Sequence, residues 1–270
     1  MNRDGGRSAV AAGLGFLALL ALGAAVGPRA FPLDPYATAL GERLRPPSAA
    51  HPLGQDALGR DVLARVVYGA RISLGVGAAA VLLSLVVGVA LGAVAGYAGG
   101  WADEAIGRLI DVFLAFPGLL LAIALAAALG PSLVHVVLAL ALLGWTGYAR
   151  LARTEVGALT ARDFVLAARA LGAAPSRIVV RHVLPLAAPT LCVQAAFGMA
   201  SAIVAEASLS FLGLGAPPPL PSWGSMIDEG RPFLLVAPHL TVFPGVALAA
   251  TVLALQLLGD GLRDLFAVRD

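Results

Sequence analysis

Residues 9–27 contain no charged side chain, and five more apolar runs follow, at 72–97, 109–130, 131–148, 186–209 and 236–259. A helix rises about 1.5 Å per residue, so 19 such residues reach about 28 Å, close to the ~30 Å of a bilayer's hydrocarbon core. Few soluble folds accommodate six stretches of this length. Charged residues make up 13% of the chain, about half the share of an ordinary soluble domain. Hydrophobic residues make up 59%. The expected fold class is therefore an all-α membrane protein with six transmembrane helices. The first run ends in small residues, as a cleaved signal peptide does, but it exceeds the usual apolar length of about 7–15 residues and reads as a retained span.

All 18 basic residues are arginine, and the formal net charge is +2. That balance is too small to point to nucleic acid as a partner. The absence of lysine also excludes a standard P-loop, whose Lys contacts the nucleotide phosphates. If ATP powers this chain, another polypeptide binds it. The single cysteine, Cys192, rules out an intrachain disulfide.

Between the first two runs, Pro28, Pro32, Pro35, Pro46, Pro47 and Pro52 argue against regular structure. From residue 56 to 71, Leu58, Val62, Val66 and Ala70 recur every four positions, with Arg60, Asp61 and Arg65 opposite. This pattern predicts an amphipathic interfacial helix. The second run carries Ala80, Ser84, Gly88, Gly92 and Gly96 at steps of four, a small-residue stripe along which another helix can approach closely. A short connection is expected at 98–108. Pro117 is placed to kink the third run. His135, near the start of the fourth, lacks the Cys or carboxylate neighbours of a metal site and reads as a satisfied polar side chain. Glu206 lies near the far end of the fifth run. A mid-membrane acid costs about 3 kcal/mol on insertion scales, so Glu206 is expected at the water boundary, facing a polar cavity. With Ser210 and Trp223 it is the candidate for a pathway or outer gate. Residues 217–221 are proline-rich and stiff, and 226–235 reads as a short helix dipping back toward the membrane. The charged tail spans 260–270.

The longest polar interval in the second half is 150–185, with Arg150, Arg153, Arg162, Arg169, Arg177 and Arg181 opposed by Glu155 and Asp163. Phe164, Ala168 and Leu171 share a helical face. Gly172 is a natural helix stop, and Pro175 suits the start of a second short helix that Pro185 ends. The interval reads as a two-helix handle, or as a solvated loop joining two spans.

The residue order separates these readings. Ala167-Ala168, Gly172 and Leu184-Pro185 resemble the EAA loop of ABC importer permeases, in which Glu-Ala-Ala is followed at fixed spacing by Gly and by Leu-Pro. Leu166 stands where the family often has Glu, and His182 where it often has Ile. The strings HPLGQDALGRDVLARVVYGARISL at 51–74 and EASLSFLGLGAPPPLPSWG at 206–224 resemble permeases of dipeptide, oligopeptide and nickel importers. The resemblance implies a type I ABC importer permease fold whose domain runs from 71 to 259, after an N-terminal region of 1–70. It implies that Ala167, Ala168, Arg169, Gly172, Ala173, Arg177, Leu184 and Pro185 belong to a cytoplasmic coupling loop that docks on an ATPase. It also implies a second permease, two ATPase subunits that carry ATP and Mg, and an extracytoplasmic solute-binding protein. This chain would then contribute no catalytic, cofactor or metal residue. The cargo is expected to be peptides, with nickel as the alternative, moved by alternating access.

Arginine counts orient the chain in the cytoplasmic membrane. With both termini cytoplasmic, the inner segments hold eleven arginines and the outer ones seven, at 29, 43, 45, 60, 65, 71 and 231. A self-contained secondary transporter calls for several mid-membrane ionisable residues and internal repeats, yet Glu206 is the one candidate acid. An intramembrane enzyme could draw on Ser210, His135 and His239, but no Gly-x-Ser-x-Gly motif is present.

Overall fold

A computed structural model describes residues 3–30 and 34–266. The last four residues of the expected tail lie outside the described residues. Regular structure among those described is helical, apart from one isolated bridge between Gln55 and Asp61. The helices are α1 (Arg3–Ala30), α2 (Val62–Ala98), α3 (Gly100–Leu114), α4 (Gly118–Leu129), α5 (Leu133–Thr160), α6 (Asp163–Ala170), α7 (Pro175–Ile178), α8 (Leu184–Phe211), α9 (Trp223–Gly230) and α10 (His239–Phe266).

Among the described residues, four helical stretches are long and apolar enough to cross a membrane: Val62–Ala98, Leu133–Thr160, Pro175–Phe211 and His239–Phe266. The pair Gly100–Leu114 and Gly118–Leu129 makes a fifth if counted as one span, bent by 80°. The bend falls at Pro117, which cannot donate a helical hydrogen bond and sits with extended backbone at ψ 113°. The run expected at 9–27 falls on α1, whose described apolar part is Val10–Leu20. α1 packs on α10, where Gly13 lies against the Ala254 carbonyl and Leu258.

α2 is the central post, packed against α5 and α8, and α10 closes the bundle against α1, α8 and α9. Its N-terminal end, α9 and the start of α10 meet in a cluster of Val62, Met226, Ala237 and Leu240. Its C-terminal end meets α5, α6 and α7 in a cluster of Ala93, Val156, Val165, Ile178 and Val183. The segment before α2 and the polar interval therefore lie at opposite ends of the bundle.

The interfacial helix at 56–71 does not form, because Asp56–Asp61 is a turn and α2 runs unbroken from Val62 across residue 71. The Asp61 carboxylate caps α2 by accepting from the Ala64 backbone N–H at 2.7 Å, and it also meets His51 Nδ1 at 2.7 Å. The two arginines of the predicted polar face are pulled inward instead. Arg60 bonds Asp56 at 2.6 Å and Glu229 of α9 at 2.7 Å, and Arg65, only 1% exposed, bonds Glu229 at 2.9 Å. These acids are distant in sequence or lie on the turn, so helical periodicity could not reveal them. Arg65→Ala should lower stability in detergent by about 3 kcal/mol, the low end for breaking a buried pair, because the Glu229 side chain is 39% exposed. A thermal unfolding curve tests this, and an unchanged midpoint refutes it. The connection expected at 98–108 is largely helix, since α3 begins at Gly100.

The polar interval is also rebuilt. α5 continues past Tyr148 to Thr160, so the first third of the interval extends a span. The short second helix does not end at Pro185. α7 passes through a π-helical turn, Val179–Val183, straight into α8. The Leu184 N–H reaches back to the Val179 carbonyl, an i to i+5 bond. Pro185 follows at that change of register, where its missing donor is tolerated.

Candidate functional site

The segment that joins α5 to α8 is anchored by three fully buried residues, Val165, Ile178 and Val183. They pack on Ala93 and Val156, with Tyr97 and Leu159 at the edge. The face expected from sequence used Phe164, Ala168 and Leu171. In the structure Phe164 and Leu171 point outward, at 39% and 88% exposure. Val165 takes the inward position, with Ala168 half-buried beside it. A helix of only eight residues fits either face by spacing, and the neighbours decide between them.

The spacing from Ala168 to Ala173 has a physical origin. The Ala173 N–H donates to the Ala168 carbonyl at 3.0 Å, and the Gly172 N–H donates to the Arg169 carbonyl at 2.9 Å. This pair of bonds is the Schellman closure, which satisfies the last carbonyls of α6 and requires a left-handed residue between them. Gly172 is that residue, at φ +75°. Ala168 and Ala173 touch the same cluster, so small side chains let the two ends of the closure meet on it. Pro175 then starts α7, with Ala174 extended at its N-cap.

The result is a rigid knuckle. Ala167, Arg169, Gly172, Arg177 and Pro185 are exposed on it, and Ala168, Ala173 and Leu184 are half-buried. Leu166, Leu171 and Val180 stand exposed among the arginines. The Arg169 guanidinium lies 4.8 Å from the centre of the Tyr97 ring. Below it, Arg153 of α5 clasps both carboxylate oxygens of Asp103 on α3, with Nη2 to Oδ2 at 2.7 Å. The knuckle is thus held on the ends of α2 and α5 by packing and by the Arg169–Tyr97 contact, and α5 is in turn tied to α3 through Arg153.

The small-residue stripe lies on the α2–α5 contact. A Cβ on Gly88 would strike the Trp145 carbonyl and Tyr148, on Gly92 the Ala149 carbonyl and Ala152, and on Gly96 the Arg153 carbonyl and Gly157. Ser84 donates to the Ala141 carbonyl at 3.3 Å, and Ala80 packs with Val136 and Leu140. The neighbour along this stripe is therefore a helix of the same chain.

Glu206 does not stand at a water boundary. It is fully buried, and its oxygens accept from Ser73 at 2.9 Å and Ser210 at 2.7 Å. Trp223 closes over this region, fully buried against Gly69, with its indole N–H on the Val66 carbonyl at 3.0 Å. The hydroxyls replace the water that sequence reasoning assigned to the acid. His135 bonds locally to the Gly130 carbonyl at 2.9 Å. Among the described residues, no three His, Cys, Asp or Glu side chains gather as a metal site would require. At the far end, the Gln55 amide, and after it Arg45, lower the pKa of the exposed Glu42 carboxyl.

A cavity of about 350 Å³ lies elsewhere, between α2, α4, α5 and α8. Its polar lining is Ser84, Tyr148, Gln194 and Ser201. Sequence reading passed over Tyr148 as the end of a span and Gln194 as an ordinary residue within one. A glutamine is the one available signal there, since the run 186–209 holds no other.

Residues 88–269 match the family model described as the inner membrane component of binding-protein-dependent transport systems. The chain belongs to this family. Among relatives of the transport component, the glutathione transport system permease protein GsiD of Pectobacterium atrosepticum is 46% identical over 81% of this chain and 72% of its own length. The dipeptide transport system permease protein DppC of Alkalihalophilus pseudofirmus is 46% identical over 82% of this chain and 73% of its own. Two inward-facing structures of the MetNI methionine ABC transporter share the fold, with TM-scores of 0.58 and 0.60 at 20% identity. They cover 76% of this chain and 96% and 97% of theirs. Among the described residues the chain is helical, with the fold of the permease seen in those structures.

Proposed function

We propose that this chain is one of two permease subunits of an ATP-driven importer of small peptides, and that the knuckle formed by α6 and α7 is its coupling element. The observation that carries the reading is the knuckle itself: a Schellman-closed turn with an exposed Leu171 and flanking arginines, anchored on the ends of α2 and α5. Such a surface suits a protein partner, because apolar side chains stand out from it while its backbone is fixed by hydrogen bonds. The partner is an ATPase subunit that binds ATP and Mg, and a solute-binding protein delivers cargo at the opposite end of the bundle.

In this reading α1 is the sixth span, and both termini and the knuckle lie in the cytoplasm. Two of the seven arginines assigned to the outer side, Arg60 and Arg65, are paired with Asp56 and Glu229, which supports setting them aside in the charge count. ATP-driven closure of two ATPase subunits brings two knuckles together. The load passes through the Arg153–Asp103 clasp and the α2–α5 seam, and the pathway opens outward. The relatives named for dipeptide and glutathione transport support a peptide cargo. Asp103→Ala should cut ATP-driven uptake several-fold while the complex still assembles, because the clasp links α5, on which the knuckle is anchored, to α3. Uptake at the wild-type rate contradicts that role.

The reading is tested by purifying this chain with and without its ATPase and binding-protein partners, and measuring peptide uptake in proteoliposomes. Uptake should require ATP and all partners. Uptake by this chain alone, driven by a proton or sodium gradient, overturns it.

A further inference from the structure

In the wall of the cavity between α2, α4, α5 and α8 lies one polar atom that the fold leaves unserved. The Tyr148 hydroxyl is buried and makes no hydrogen bond to protein. Tyr148 as a whole is 3% exposed. A buried hydroxyl without a partner costs about 1–3 kcal/mol, and phenylalanine would fill the same space without that cost. Its position is deliberate in one further respect. Gly198 of α8 faces it, and a Cβ there would overlap the hydroxyl. The adjacent hydroxyls are already engaged: Ser84 with the Ala141 carbonyl at 3.3 Å and Ser201 with the Phe197 carbonyl at 3.1 Å. Gln194, half-buried on the same wall, brings a carboxamide with two donors and an acceptor.

We infer that this cavity is a solute-contact site, in which the Gln194 carboxamide, joined by the Tyr148 hydroxyl once α8 draws back from it, holds the uncharged, amide-bearing middle of a small peptide during passage. The inference rests on the importer reading above and names the chemistry within it. The volume of about 350 Å³ lies at the small end of ligand pockets, which run about 300–1,000 Å³. No charged side chain lines the cavity. An unpaired charge is costly to desolvate, so the ionic ends of a peptide belong outside it and its amide groups within. The same lining argues against a bare divalent metal ion, which takes carboxylate or imidazole ligands. Phenol and carboxamide can each donate and accept, so they serve a peptide N–H or C=O in any sequence of residues. That suits a pathway that must pass many peptides and hold none tightly.

The test uses the complete transporter in proteoliposomes, with alanyl-alanine, glutathione and Ni2+ as probes. The binding protein sets the half-saturating concentration, so a pathway contact appears in the maximal rate per assembled complex. Tyr148→Phe should lower maximal peptide uptake by about three- to tenfold, the worth of one hydrogen bond, with the half-saturating concentration unchanged. Gln194→Leu should act in the same direction, and Gly198→Ala, which forces the hydroxyl aside, should mimic Tyr148→Phe. A purely structural hydroxyl predicts the reverse, since its removal relieves an unserved group. Wild-type maximal rates in both Tyr148→Phe and Gln194→Leu overturn the site while leaving the importer reading intact. A wild-type transporter that moves Ni2+ and neither peptide overturns both.

Discussion

Replacing Gly92 with leucine is expected to prevent the chain from assembling. The first side-chain atom alone would meet the Ala149 carbonyl and the Ala152 methyl. Backbone cannot rotate away as a side chain can, so α2 and α5 must separate along their whole seam. Overpacking typically costs about 1–3 kcal/mol, and a backbone collision belongs above that range. In a bilayer, helix association draws on close packing because lipid is as apolar as the side chains, so a lost seam has little to replace it. Gly88 and Gly96 are placed the same way, against the carbonyls of Trp145 and Arg153. Gly75, on the same helix, has open space where its Cβ would be. Gly75→Leu is the matched control. Size-exclusion yield and thermal midpoint of the purified complex read both variants. Loss for Gly92→Leu with retention for Gly75→Leu is expected, and equal behaviour contradicts the seam.

Gly172→Pro is expected to leave the spans inserted and abolish transport. Proline fixes φ near −65°, whereas Gly172 sits at +75°, and proline also removes the N–H that bonds Arg169. Both bonds of the closure fail, and α6 loses its fixed angle to α7. Space is not the obstacle, because nothing lies within 4 Å of a Cβ at this position. Gly172→Ala therefore carries only the left-handed penalty of about 1–2 kcal/mol and should retain partial uptake. Gly172→Asp should fall closer to Ala than to Pro, since a short polar side chain tolerates that region. The measurement is ATP hydrolysed per peptide imported. A rise of tenfold or more for Gly172→Pro is the expected uncoupling, and wild-type stoichiometry contradicts it.

How much of this was legible beforehand depended on the range of each interaction. Hydropathy gave four of the six expected spans, and a fifth as the bent pair, because a bilayer acts on one helix at a time. The stripe of Ser84, Gly88, Gly92 and Gly96 was legible for a related reason, since close approach selects small residues whatever the partner. The turn at Gly172 was legible because a left-handed cap depends on local backbone alone. What failed needed the third dimension. Arg60 and Arg65 spaced themselves like a solvated face, but Glu229, more than 160 positions away, drew them inward. Glu206 read as a water-boundary acid because the Ser73 hydroxyl that serves it arrives from another helix. Pro185 read as a helix stop because periodicity does not reveal a π-turn. Tyr148 and Gln194 gave no pattern, since each is a single polar group on its own helix.

The knuckle is expected to meet an ATPase in the cytoplasm. The most direct measurement is site-specific crosslinking of Leu171→Cys, in a Cys192→Ser background, within inside-out and right-side-out membrane vesicles. The expected result is a crosslink to the ATPase subunit that strengthens or weakens with ATP, and labelling by an impermeant maleimide from the cytoplasmic side alone. Labelling from the outer side, with no ATPase adduct under any nucleotide condition, would contradict it.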